Sequence, residues 1–101
     1  MNYAILVHEA EDDVGVAVRD LTAGEEVGVA TLEGQPLEPV KMVEDTPLGH
    51  KVALRALEQG KHVIEYGRAI GRATQDVPAG GHVHVHNLTS LRWERSVVEK
   101  A

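Results

Sequence analysis

The chain has 101 residues, and sixteen Asp and Glu against ten Lys and Arg give a formal charge of −6. That balance argues against a nucleic-acid partner, because phosphate contacts need clustered cations. With no Cys there is no disulfide, no thiolate nucleophile and no cysteine-ligated iron–sulfur cluster within the chain. No basic amphipathic stretch or long apolar run points to a membrane. Met1-Asn2-Tyr3-Ala4 lacks the charged lead and apolar run of a signal peptide, so a cytoplasmic protein is expected.

The length suits a single domain over residues 1–101, with a modest core and a stability that leans on a partner. Phe is absent and the only aromatics are Trp93, Tyr3 and Tyr66, so Val, Ala and Leu must fill that core. Ten Gly and four Pro predict short strands and tight turns, a mostly β fold with at most one or two short helical turns.

In chain order, Tyr3 to Val7 is an apolar strand, and the acidic stretch His8 to Asp13, with Glu9, Glu11, Asp12 and Asp13, reads as a solvated loop. Val14 to Val18 is a second strand, Asp20 to Gly24 a turn and Val27 to Leu32 a third strand. Glu33-Gly34-Gln35-Pro36 is a hairpin-type break, across which Leu37 to Val43 can pair back. Pro47 to Lys51 turns into Val52-Ala53-Leu54. Ala53 to Gln59 contains good helix formers followed by Gly60, a fit to a short helix with a C-terminal cap. Val63 to Tyr66 and Ala69 to Thr74 are extended, Asp76 to Gly80 is a turn, and Leu88 to Trp93 follows the last loop. Trp93 is read as a cap on the core edge or part of an interface, and the charged tail 94–101 as frayed.

One frame recurs: Ala, three residues, Leu or Val, two residues, Gly, two residues, Val. It runs from Ala17 to Val27, from Ala53 to Val63 and from Ala73 to Val83. Physically it is a strand end, a tight turn to a Gly able to take positive φ, and a departing strand with an inward Val. The second copy has sisters containing Gly24 and Pro78, which weakens the helix reading of Ala53 to Gln59.

The stretch richest in chemistry is Gly80-Gly81-His82-Val83-His84-Val85-His86-Asn87. Strict alternation predicts a half-buried strand, with Val83 and Val85 inward and three imidazoles on the other face. Along a straight strand neighbouring histidines are roughly 6.6 Å apart and the outer pair about 13 Å, so neighbours but not all three can share an ion or ligand. Asn87 breaks the strand and adds an amide there. A plain solvent-facing strand is the alternative, but histidine is acid, base or metal ligand near neutral pH. Gly49-His50-Lys51 at a strand entrance could bring backbone amides and a cation to an anion, and Arg68 with Arg72 could clamp a carboxylate or sulfonate. Each has a surface-charge alternative. No nucleophile elbow, P-loop or dinucleotide signature is present.

Pro47-Leu48-Gly49-His50-Lys51-Val52-Ala53-Leu54, Val63-Ile64-Glu65-Tyr66-Gly67, Ile70-Gly71-Arg72-Ala73-Thr74 and Ala79 to Asn87, with Val16 to Gly24 upstream, resemble the small SAF module of the altronate/galactarate dehydratase family. The resemblance covers about residues 12–93. It implies a β-clip fold. In some members the module is fused to a large catalytic domain; in others it is a separate small subunit, as in (2R)-sulfolactate sulfo-lyase, and this chain reads as the second kind. It also implies elimination of water or sulfite from a hydroxy acid with a divalent metal, often iron. The run from Val85 to Trp93 looks more like the sulfo-lyase subunit.

An elimination needs a base at carbon, an acid at the leaving group and positive charge over the carboxylate. On this reading His84 and His86 are catalytic and contact the metal, Fe(2+), which sits mainly on the large partner. His50, Lys51, Asn87 and Arg72 bind the anionic substrate. Two rivals are a non-catalytic module that binds a carbohydrate-like ligand or scaffolds its partner, and a stand-alone metal binder. A homo-oligomer is compatible with all of them.

Overall fold

The computed structural model describes residues 3–84 and 86–90. Among them are nine strands: β1 (Tyr3–Val7), β2 (Val14–Ala17), β3 (Glu26–Thr31), β4 (Pro36–Lys41), β5 (Lys51–Ala53), β6 (His62–Glu65), β7 (Arg68–Ala73), β8 (His82–Val83) and β9 (Leu88–Ser90). They form a six-stranded sheet in the order β4-β3-β1-β2-β5-β8 and a three-stranded sheet in the order β6-β7-β9. Strands β1 and β3 run parallel; the hairpin of β3 with β4 is antiparallel, as the break at Glu33 to Pro36 predicts. The described residues contain no helix. Ala53 ends β5, Leu57 bridges to Val77, and Glu58-Gln59-Gly60 turns. The helix formers of that stretch are overruled by the recurring turn frame.

That frame occurs four times, not three. The fourth copy runs from Met42 through Thr46 and Gly49 to Val52, with Met and Thr where its sisters have Ala and Leu or Val. The copies clip together in two pairs. Leu21 and Thr46 exchange backbone hydrogen bonds at 2.8 and 2.9 Å, and Leu57 and Val77 do so at 2.7 and 2.8 Å. Each copy's first residue then meets the glycine turn of its partner. The Gly49 and Gly24 amides donate to Ala17 and Met42, and those of Gly80 and Gly60 donate to Ala53 and Ala73. These glycines have positive φ. At Gly80 a Cβ would also collide with the Lys41 carbonyl oxygen, so no other residue fits there.

Two apolar clusters follow from the two pairs. The first gathers Ile5, Val7, Leu21, Val29, Met42 and Val52; the second gathers Val14, Ala53, Leu57, Val63, Val77 and Val83. Strand β5 lies between them, and alternation sends Val52 to one and Ala53 to the other.

The junction between the sheets corrects the acidic-loop reading. Asp12 and Asp13 are buried, at 0% and 3% exposure. Asp12 accepts from the amides of Glu9, Tyr66 and Gly67 at 3.2, 3.0 and 3.1 Å. Asp13 accepts from the Ile64 amide at 2.8 Å and from Lys61 Nζ at 3.1 Å, with Arg55 at 3.4 Å. Buried carboxylates need such donors. Here they fasten the three-stranded sheet to the start of β2, and they fix the β6–β7 turn, where Tyr66 has φ +61 and Gly67 φ +71.

Candidate functional site

Two clip exits meet in space to make the site. Gly49 leads into His50 and β5, and Gly81 leads into β8. The two strands pair antiparallel, with Lys51 opposite Val83 and Val52 opposite His82. Continuing that register puts His50 opposite His84, and their rings stack 5.3 Å apart at 7°. His50 Nδ1 lies 2.8 Å from His82 Nε2, so one ring donates to the other.

The histidine strand is shorter than alternation predicts. It stops at Val83, which is buried, and the chain bends at His84. Asn87 sets the bend. Its Oδ1 accepts from the His84 amide at 2.9 Å, its own amide donates to the His84 carbonyl at 3.0 Å, and its Nδ2 donates to the His82 carbonyl at 2.7 Å. The result replaces the straight-strand spacing. Ring centroids lie 5.2 Å apart for His82 and His84, 5.9 Å for His84 and His86, and 5.7 Å for His82 and His86. All three imidazoles converge, and His50 joins them. The expected inward Val85, the cap Trp93 and the tail fall outside the described residues.

Burial pushes the His82 imidazole below its ordinary titration range; His50 and His84 add to the shift, and Glu44 opposes it. Glu44 also accepts from the His82 amide at 3.0 Å. Half-buried His82 is therefore biased toward its neutral form, while His84 and His86 are exposed.

Beside the rings lies a groove of about 380 Å³ lined by Gly49, His50, Lys51, Ile70, Val83, His84 and Leu88. It offers a cation, imidazoles and an apolar wall, a fit to a small organic anion. A second groove, of about 460 Å³, is lined by Asp20, Thr22, Asp45 and His82 among others. Its carboxylates would repel such an anion, so charge favours the first.

Among the sequence-derived candidates, His50, Lys51 and His84 line the groove, and His86 packs on the cluster rim. Asn87 is 3% exposed and shapes the loop, with its Nδ2 also 3.1 Å from His86 Nε2. Arg72, half-buried on β7, and exposed Arg68 are not among the groove's lining residues. Ile70, which lines the groove, is the extra residue of a bulge in β7, where the pairing steps from Val63–Gly71 to Ile64–Ala69. Sequence reasoning missed Glu65 as a buried acid. It lies two residues beyond Val63, on the inward side of β6, and its Oε1 is 3.7 Å from Lys51 Nζ.

The described residues do not by themselves complete a site for the implied metal. Two of the nitrogens, on His50 and His82, are bonded to each other. Among the described residues no group of three or more His, Asp or Glu is placed to hold an ion. Nor is any described helix long and apolar enough to cross a membrane.

Such a fold and groove define a class: a small all-β clip module that presents a groove lined by imidazoles and a lysine. The sequence matches the altronate/galactarate dehydratase SAF domain over residues 2–91, and the chain belongs to that family. It is 36% identical to (2R)-sulfolactate sulfo-lyase subunit alpha of Chromohalobacter salexigens over 94 residues, which cover 92% of this chain and 100% of that protein. It is 53% identical over 49 residues to the subunit of the same name from Paracoccus pantotrophus, covering 48% of this chain and 73% of the relative. It is 43% identical to altronate dehydratase of Escherichia coli over 83 residues, 82% of this chain but 15% of that much longer enzyme.

Proposed function

We propose that this chain is the small subunit of a lyase that eliminates water or sulfite from a hydroxy acid, and that it works against a large catalytic subunit. The observation that carries the reading is the convergence of four imidazoles, two of which, His50 and His84, line one groove with Lys51. The family and the full-length match to a sulfo-lyase subunit alpha support the reaction class.

The residues divide the work as an elimination requires. Lys51 and His50 meet the substrate's carboxylate from the groove wall, with Arg72 approaching from β7. His84 and His86, at the exposed rim, face the partner and exchange protons with the substrate. One takes the proton from carbon, the electron pair forms the carbon–carbon double bond, and the carbon–oxygen or carbon–sulfur bond breaks. A protonated imidazole supplies the proton when water leaves. Asn87 serves substrate binding by holding the His84–His86 loop. A divalent metal, Fe(2+), belongs mainly to the large subunit, and of this chain His84 and His86 are the rings open to it. The enzyme is cytoplasmic on this reading.

The test is turnover of the chain co-purified with a large subunit of the same family, using (2R)-sulfolactate, altronate and galactarate. His84→Ala and His86→Ala should each lower turnover by about 10²- to 10⁴-fold, the usual range for a general acid or base. Unchanged turnover in both variants would end the catalytic assignment and leave a scaffolding module.

A further inference from the structure

Glu65 is a costly residue in its position. It closes β6, follows Val63 on the inward face, and is 5% exposed. An apolar side chain would suit that face, and a buried carboxylate is tolerated only with a partner. The ion pair described for it is with Lys51, on β5 of the other sheet, at 3.7 Å. The residue after it, Tyr66, holds φ +61, a conformation a bulky side chain rarely adopts. Asp12 fixes that turn through the Tyr66 and Gly67 amides, and so fixes where Glu65 stands.

The 3.7 Å separation is longer than the roughly 2.7–2.9 Å of a tight charge-assisted hydrogen bond. It contrasts with Lys61, which sits 3.1 Å from Asp13. The Lys51 side chain keeps 37% exposure and lines the groove. Its stem is flexible, and an ammonium left to wander must be ordered each time an anion binds.

We propose that Glu65 is a positioning residue, which steers the Lys51 ammonium to the groove wall so that the substrate's anionic group meets a charge already in place. The inference rests on the groove being the substrate site. Glu65 touches no substrate; it acts through Lys51.

The experiment measures kcat and KM of the two-chain enzyme with (2R)-sulfolactate for Glu65→Gln, Glu65→Ala, Lys51→Met and the Glu65→Ala/Lys51→Met pair. Glu65→Gln is isosteric and removes a buried charge, so it leaves the melting temperature near that of the parent. It should raise KM about tenfold with kcat within about twofold, the pattern of lost ground-state binding, and Glu65→Ala should raise KM further. The double variant should be no worse than Lys51→Met alone, because the two residues act as one unit. A raised KM in Lys51→Met with no change in Glu65→Gln overturns the role of Glu65 and leaves the groove intact. Additive effects in the double variant overturn it as well. Unchanged KM in Lys51→Met removes the groove as the anion site, and the inference with it.

Discussion

Two clip exits carry nearly the same residues: Gly49-His50-Lys51-Val52 and Gly60-Lys61-His62-Val63. Both glycines have positive φ, at +86° and +90°, and both valines are fully buried. Yet the first exit builds the groove and the second builds the scaffold. Lys61 is spent on Asp13 at 3.1 Å, and exposed His62 stands opposite Arg72 in the small sheet. Lys51 lines the groove, and His50 joins three other rings. The difference lies in the neighbour: β5 pairs with β8, which brings the second histidine source, whereas β6 pairs with β7. Local chemistry supplied both exits with a cation and an imidazole, and strand pairing assigned their tasks.

Exchanging the two residues within each exit tests this comparison most severely. His50→Lys with Lys51→His should abolish measurable turnover of the two-chain enzyme. Lys61→His with His62→Lys should leave kcat within about threefold and lower the melting temperature, because the ion pair to buried Asp13 is lost. Equal effects at the two exits would remove the distinction.

Asp13→Ala comes next. It strips partners from Lys61 and from the Ile64 amide, and leaving that amide unpaired costs about 1–3 kcal/mol, which denaturant melts would read directly. Asn87→Ala should cost about 1–3 kcal/mol through the unpaired His84 amide and His82 carbonyl, and it should lower turnover by releasing the bend. A variant with full stability and full turnover would show that the imidazoles converge without it.

The smallest effect is a pH dependence. The folded state holds His82 below its ordinary titration range. The unfolded chain therefore takes up that proton first, and stability present above about pH 6.5 is lost as pH falls through the folded value. Melting temperature between pH 7.5 and 5 should fall less steeply in His82→Gln than in the parent. Parallel slopes would mean that His82 carries no such penalty.

Much of the fold was legible in the chain. Alternation and glycine punctuation placed β1 to β7 to within a residue or two but carried the histidine strand past Val83, where it ends, and the turn frame was visible in three copies. The fourth escaped because Met42 and Thr46 replace Ala and Leu at the anchors, and Thr46 leaves its buried Oγ1 without a partner among the described residues. Asp12 and Asp13 read as solvated because their donors lie some 50 residues further along, at Lys61, Ile64, Tyr66 and Gly67. The family resemblance supplied the reaction class; residue spacing alone supplied only a face of histidines.

The site divides along the same line. Period-two alternation determined that Val83 faces inward, and local turn chemistry determined that Gly49 and Gly80 punctuate the chain, since both depend on a few neighbouring residues. Only the tertiary structure decided that His50 belongs with His82, His84 and His86, that Asn87 bends the strand to gather them, and that Glu65 stands behind Lys51. Those contacts join residues distant in sequence through strand pairing and inter-sheet burial, and no local period encodes which strand a segment will meet.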